Sequence, residues 1–238
     1  MGLMGLMGNV AQAQFGDYGV KAGIGLSTIA DDLGTKLPIL GATIGGYVNY
    51  TFESRENMLA DAFYLQAGLN LVRKGSNYEE KFEQESNLSI RSGYNHVYYL
   101  QLPILACLRF ELPLRSRGHV MGIYAGPAVS FGLFGRMNEK MVTPSYGNDP
   151  SVNYKMSGNA FDRVKRWDVS AIVGLNYEYD DFVFSIYGDF GFLATSESDD
   201  IMSLIANAQA GTIGDAKKIS NGHNASYMLS VSYKLGKF

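Results

Sequence analysis

The sequence is short of most of the residues that soluble enzymes use for chemistry. It has one cysteine, Cys107, which excludes an internal disulfide. Its three histidines (His96, His119, His223) are scattered and offer no metal-ligand spacing. Tryptophan occurs once, at Trp167. The formal net charge is −3, so the basic footprint of a nucleic-acid binder is missing, and no basic patch or glycine-rich phosphate loop stands out. No run of about eighteen apolar residues occurs, which excludes a membrane-crossing helix. A membrane barrel stays open, because barrel strands alternate and never produce such a run.

What is abundant is glycine, tyrosine and phenylalanine, with 28, 16 and 13 copies. That balance suits strands and aromatic girdles better than helices. The clearest stretch is Tyr98–Phe110. At period two, Leu100, Leu102, Ile104, Ala106, Leu108 and Phe110 form a wholly apolar face. Tyr99, Gln101, Pro103, Leu105, Cys107 and Arg109 form a mixed one. At about 3.3 Å per residue such a strand crosses a hydrocarbon layer of roughly 30 Å even when tilted.

The same alternation recurs along the chain. It predicts strands over Tyr18–Ser27, Ile39–Phe52, Phe63–Lys74, Tyr98–Phe110, Val120–Phe134, Trp167–Tyr179 and Phe182–Leu193, and a last one from Ser226 to Leu235. Asp180-Asp181 reads as a tight turn, and Glu53–Ala60 and Glu111–His119 as short connections. Stretches 75–95, 135–165 and 194–224 read as long polar loops. Eight strands with short links at one end and longer ones at the other fit an all-β, eight-stranded antiparallel transmembrane barrel, an up-and-down meander. An even count leaves no free edge, which lipid does not tolerate. A soluble lipocalin-like barrel would turn its apolar face inward, whereas here the apolar face is continuous and its opposite carries Gly, Tyr, Ser, Asn and charge. Aromatics at strand ends (Tyr18, Phe52, Phe63, Tyr98, Phe110, Trp167, Tyr179, Phe182, Tyr227) read as interfacial girdles.

Met1–Ala13 is uncharged and ends in Ala11-Gln12-Ala13, an A-x-A cleavage pattern without a basic leader. It is expected to be the end of a secretory signal, leaving 14–238 as one barrel domain with its N-terminus toward the periplasm.

Several short motifs resemble the PorT-like outer-membrane β-barrels of Gram-negative bacteria. They are Gly19-Val-Lys-Ala-Gly-Ile-Gly-Leu-Ser27, Tyr64-Leu-Gln-Ala-Gly-Leu69 running on to Lys74-Gly75, Tyr99-Leu-Gln-Leu-Pro-Ile104, Tyr124-Ala-Gly-Pro127 and the Asp168…Gly174 strand. The resemblance implies an outer-membrane location and a small barrel. It transfers no activity, although the named member is linked to type IX protein secretion. Gly236-Lys237 puts Phe238 out of register with Tyr233 and Leu235, a departure from the usual closing aromatic signal.

Three groups of residues are candidates for function. Lys21, Arg109, Glu178, Asp189 and Lys234 are expected to point into the lumen as an ion-pair network, with a narrow proton or ion path as the rival. Pro103 and Pro127 cannot donate to a ladder and should mark a bulge or a missing bond, at similar height on neighbouring strands but on opposite faces, with a lateral contact site for a partner protein as the rival. Ala128-Val-Ser-Phe-Gly132 is a degenerate G-x-S-x-G with His223 downstream, yet Ser130 lies inside an alternating strand. Asp31-Asp32 and Asp199-Asp200 read as solvated loop acids. The expectation is a non-enzymatic structural or accessory barrel, with no cofactor. Its expected partners are outer-membrane lipid, the barrel assembly machinery and, by resemblance alone, secretion-system subunits. Solute passage and a lipid-modifying enzyme are the alternatives.

Overall fold

The computed structural model describes residues 13–30, 35–52, 62–84, 87–112, 119–143, 152–162, 165–193 and 223–237. The strands are β1 (Ala13–Ala30), β2 (Thr35–Phe52), β3 (Phe63–Gln84), β4 (Asn87–Glu111), β5 (His119–Thr143), β6 (Val152–Asn159), β7 (Trp167–Tyr179), β8 (Phe182–Gly191) and β9 (His223–Lys237). A 3-10 turn, Ala160–Asp162, follows β6. All pairings are antiparallel, and the order β4-β3-β2-β1-β9-β8-β7-β5 closes through β4 on β5. That ring is an eight-stranded barrel, and β6 lies outside it.

Apolar side chains cover the outer wall. Ile24, Leu40, Ile104, Val173, Ile186 and Leu229 are all exposed there, while Lys74, Ser130, Asp168, Ser170 and Asp189 are buried inside. This inversion of the usual rule is what lipid as the surrounding solvent requires. Aromatic pairs mark both rims: Tyr98 on Phe134 and Phe131 on Trp167 at one, His119 on Tyr179 and Phe182 on Tyr233 at the other. From Trp167 to Tyr179 on β7, about 3.3 Å per residue and a tilt of roughly 40° give an apolar band about 30 Å tall. The Asp180-Asp181 hairpin closes the short-turn end, with Asp180 at a φ of 56° as a primed two-residue turn demands. Counted from the edges of the apolar band, the connections at this end are the shorter ones, and by the rule that short connections face the periplasm the other end is extracellular.

Two expected loops are largely strand. β3 and β4 stay paired up to Gln84↔Asn87, and β5 and β6 pair from Arg136↔Asn159 to Thr143↔Val152. Strands β3 to β6 therefore project beyond the lipid band as a four-stranded platform. Projected into water, a strand need not alternate, so 75–95 and 135–165 carried no strand signal. The 194–224 loop lies outside the described residues up to position 222, and β9 begins at His223. Met1–Gln12, Asp31-Asp32, Asp199-Asp200 and Phe238 are also outside them, while Ala13 opens β1.

The prolines lie where the ladders break. Pairing of β4 with β3 skips Leu102 and Pro103, and pairing with β5 skips Ile104 and Leu105 opposite Gly126 and Pro127. Pro103 is buried and Pro127 exposed, on opposite faces at similar height. The register is the same on either side of each gap, so a missing ladder bond, not an intervening bulge, accounts for them. The bulge lies higher, where Tyr98↔Phe134 gives way to Tyr99↔Gly132 and Leu133 is the extra residue.

Candidate functional site

The lumen is filled in layers. At the periplasmic end, Lys234 Nζ on β9 meets Glu178 Oε2 on β7 at 2.6 Å. Beside them Asn49 donates to the Asp17 carboxylate, and Gln66 Nε2 donates to Asn49 Oδ1 at 2.9 Å. Arg109 sits 4.3 Å over the Tyr64 ring, and Asn176 Nδ2 donates to the Tyr64 hydroxyl at 3.2 Å. Arg109 thus enters this layer through an aromatic face and not through the Lys234–Glu178 pair.

The middle layer is an aromatic and aliphatic belt of Tyr64, Leu105, Cys107, Tyr124, Ile172, Tyr187 and Met228. Lys21 projects into it with its ammonium 4.3 Å from the Tyr187 ring centre. The space left around Lys21 consists of two small voids, each with room for about one water.

The upper layer is a buried triad. Lys74 Nζ lies 2.8 Å from Asp189 Oδ2 and 3.6 Å from Asp168 Oδ2, and all three side chains are almost wholly removed from solvent. Gln101 Nε2 donates to Asp189 Oδ2 and Asn224 Nδ2 to Asp168 Oδ2, each at 2.9 Å. Burial of an ion is costly unless the geometry is good and further hydrogen bonds are made, which these amides supply. Above it, Val97, Tyr99, Met137 and Ala160 form a second apolar cluster, joined by Met156 of β6 and Phe161 of the 3-10 turn. Phe161 meets Tyr99 edge-on with centroids 6.4 Å apart, and its ring sits over Gly132, where any Cβ would clash. The segment from β6 through this turn therefore lids the barrel.

Of the five charges expected inside, Glu178 and Lys234 pair directly, whereas Asp189 pairs with Lys74. Lys21 and Arg109 lean on tyrosines. Lys74 and Asp168 were the missed members. Both were legible as inward-facing by parity, but period alone does not say which strand lies across the bore. Ser130 is buried within the continuous β5, opposite Gln101 and Asp168, with none of the sharp strand-to-helix turn a nucleophile elbow needs. Among the described residues no group of His, Cys, Asp and Glu could hold a metal ion.

The model of a family described as "Outer membrane protein beta-barrel domain" matches residues 11–196. No curated protein matches the sequence. Among solved structures, Ail, the attachment invasion locus protein of Yersinia pestis, in complex with the heparin analogue sucrose octasulfate, aligns with a TM-score of 0.38 at 12% identity, covering 93% of this chain and 100% of that one. Neisserial surface protein A (NspA) aligns at 0.39 and 10% identity, over 92% and 97%. The N-terminal β-barrel domain of Pseudomonas aeruginosa OprF aligns at 0.30 and 12% identity, over 93% and 100%. None of these likenesses extends to a function.

Proposed function

This chain belongs to the outer-membrane β-barrel domain family, and from that membership we propose that it is a closed, non-enzymatic barrel of structural or accessory kind. In this reading the barrel anchors the β3–β6 platform, and the platform binds a partner outside the cell. The observation that carries it is the Lys74–Asp168–Asp189 triad, a fixed plug beneath the Tyr99–Phe161 lid. A lumen filled this way favours an anchor over solute passage, since eight strands leave a bore only wide enough for side chains. Outer-membrane lipid surrounds the barrel, and the assembly machinery inserts it. A role in secretion or surface assembly is the sharper form, supported by the PorT-like motifs alone.

Two measurements test this. Recordings from planar bilayers should give no steady conductance for the purified protein. Tagged protein solubilised mildly from outer membranes should bring down a partner at near-stoichiometric yield. A stable open channel would replace the anchor reading with solute passage. Recovery of the barrel alone, with no conductance, would end the accessory role.

A further inference from the structure

Just above the Tyr98–Phe134 aromatic pair, at the height where lipid headgroups begin, the outer wall carries a row of donors. His96 on β4 lies opposite Gly75 on β3 and Arg136 on β5, and Arg73 reaches across from β3. Arg73 Nη2 is 3.1 Å from His96 Nδ1. A guanidinium only donates, so Nδ1 accepts, and the imidazole proton is left on Nε2. The row then offers the Arg136 fork, the remaining Nη donors of Arg73, whose Nε is buried, and one ring N–H. Among the described residues, neither arginine has a carboxylate within ion-pairing distance.

A second observation on the same wall points the same way. Further out, Lys140 on β5 and Lys155 on β6 stand directly opposite each other, and both are exposed. Like charges paired across strands are destabilising unless an anion lies between or over them. Arg136 is on the same outward face of β5, with Asn138 between it and Lys140, and the acid in the Lys140 row is Glu79 two strands away across Ser92.

We propose that the Arg73–His96–Arg136 row is a binding site for a phosphate-bearing lipid headgroup of the outer leaflet. Arginine forks match phosphate oxygens bidentately, which a hydrated ammonium cannot do. The aromatic pair immediately below sits where acyl chains start, so a lipid held by its phosphate keeps its chains against Leu71, Leu100 and Leu133. The site goes beyond the accessory role and does not depend on it. It requires only that the barrel sit in a bilayer with its platform outward.

The test uses the full chain folded in phosphatidylcholine nanodiscs, with phosphatidic acid, a phosphate-monoester lipid, titrated in. Binding is read as the rise in apparent Tm. The wild type should show a saturable rise with phosphatidic acid. Arg73→Gln/Arg136→Gln should bind about tenfold more weakly, the loss of two solvent-screened charge contacts at the surface. Arg73→Lys/Arg136→Lys keeps the charge and is the fallback should the glutamine variant fail to fold. It should lose the preference for phosphatidic acid over phosphatidylglycerol. Equal titration curves for wild type and both variants would overturn the site. An identical rise with inorganic phosphate alone would overturn the lipid as its ligand.

Discussion

Lys74 on β3 and Asp189 on β8 stand on opposite walls of the barrel, four strands apart in either direction, and their Nζ and Oδ2 atoms lie 2.8 Å apart. The pair is a tie across the bore. Neither residue could be satisfied by its own ladder neighbours, so the tie forms only when the sheet closes.

Replacing Lys74 with Met would leave Asp168 and Asp189 buried together without the cation that pairs with both. The expected loss is about 3–5 kcal/mol, the usual consequence of removing one partner of a buried pair. Lys74→Met combined with Asp189→Asn should recover part of it. Urea-dependent unfolding in lipid vesicles, followed by tryptophan fluorescence, measures both. Equal stability of wild type and Lys74→Met would show that the tie is not holding the barrel closed.

Gly75 has a φ of 151°, and a Cβ there would come within 1.9 Å of the Asn95 carbonyl oxygen. Its N–H also donates to Ser27 Oγ at 3.2 Å. Gly75→Ala should therefore destabilise by about 2 kcal/mol or more, read in the same unfolding assay. Gly46, whose Cβ would be 3.5 Å from its nearest neighbour, is the control at which Ala should be tolerated.

His96 lies above the lipid band, and partial burial, then the Arg73 guanidinium, hold its pKa below the ordinary 6.5. Arg136 opposite it and the Tyr94 ring, 4.8 Å away, complete its surroundings. A depressed histidine is protonated more readily in the unfolded chain. Its contribution to stability is therefore lost as pH falls from about 6.5 toward the folded value, and is unchanged above neutrality. Arg73→Gln should move the titration upward. Ring-proton NMR in a zwitterionic detergent would show this, and a His96 that titrates at or above 6.5 in the wild type would contradict it.

The gaps at Leu102–Leu105 leave a seam through the middle of β3, β4 and β5. Amides of Gly68, Leu69 and Gly126 should exchange with deuterium faster than Ala22, Ile24 and Leu229, which lie in the regular stretch of the β1–β9 ladder from Gly19↔Lys234 to Ala30↔His223. Uniform protection around the barrel would mean the seam is closed by other contacts.

The alternation of side chains along a strand is local, so the sequence determined by itself that the outer wall is apolar, that eight strands form the ring, and that Lys21, Arg109, Glu178, Asp189 and Lys234 lie on the opposite face. It did not determine how far the strands run. Beyond the lipid band the outer face turns polar while the inner face mixes Met137 and Met156 with Asn95 and Glu139, so period two loses the contrast that marks a strand. Nor could it decide which charges meet. Lys74 reaches Asp189 because closure places β3 across from β8, a relation between residues 115 positions apart by number (189 − 74). The clearest case is Arg136. Carried upward from Ile123, Val129 and Phe131, parity would turn it into the lumen. The single extra residue Leu133 at the bulge reverses that parity, and Arg136 faces outward beside His96. One inserted residue flips every side chain beyond it to the other face, and only the paired strand shows where the insertion falls.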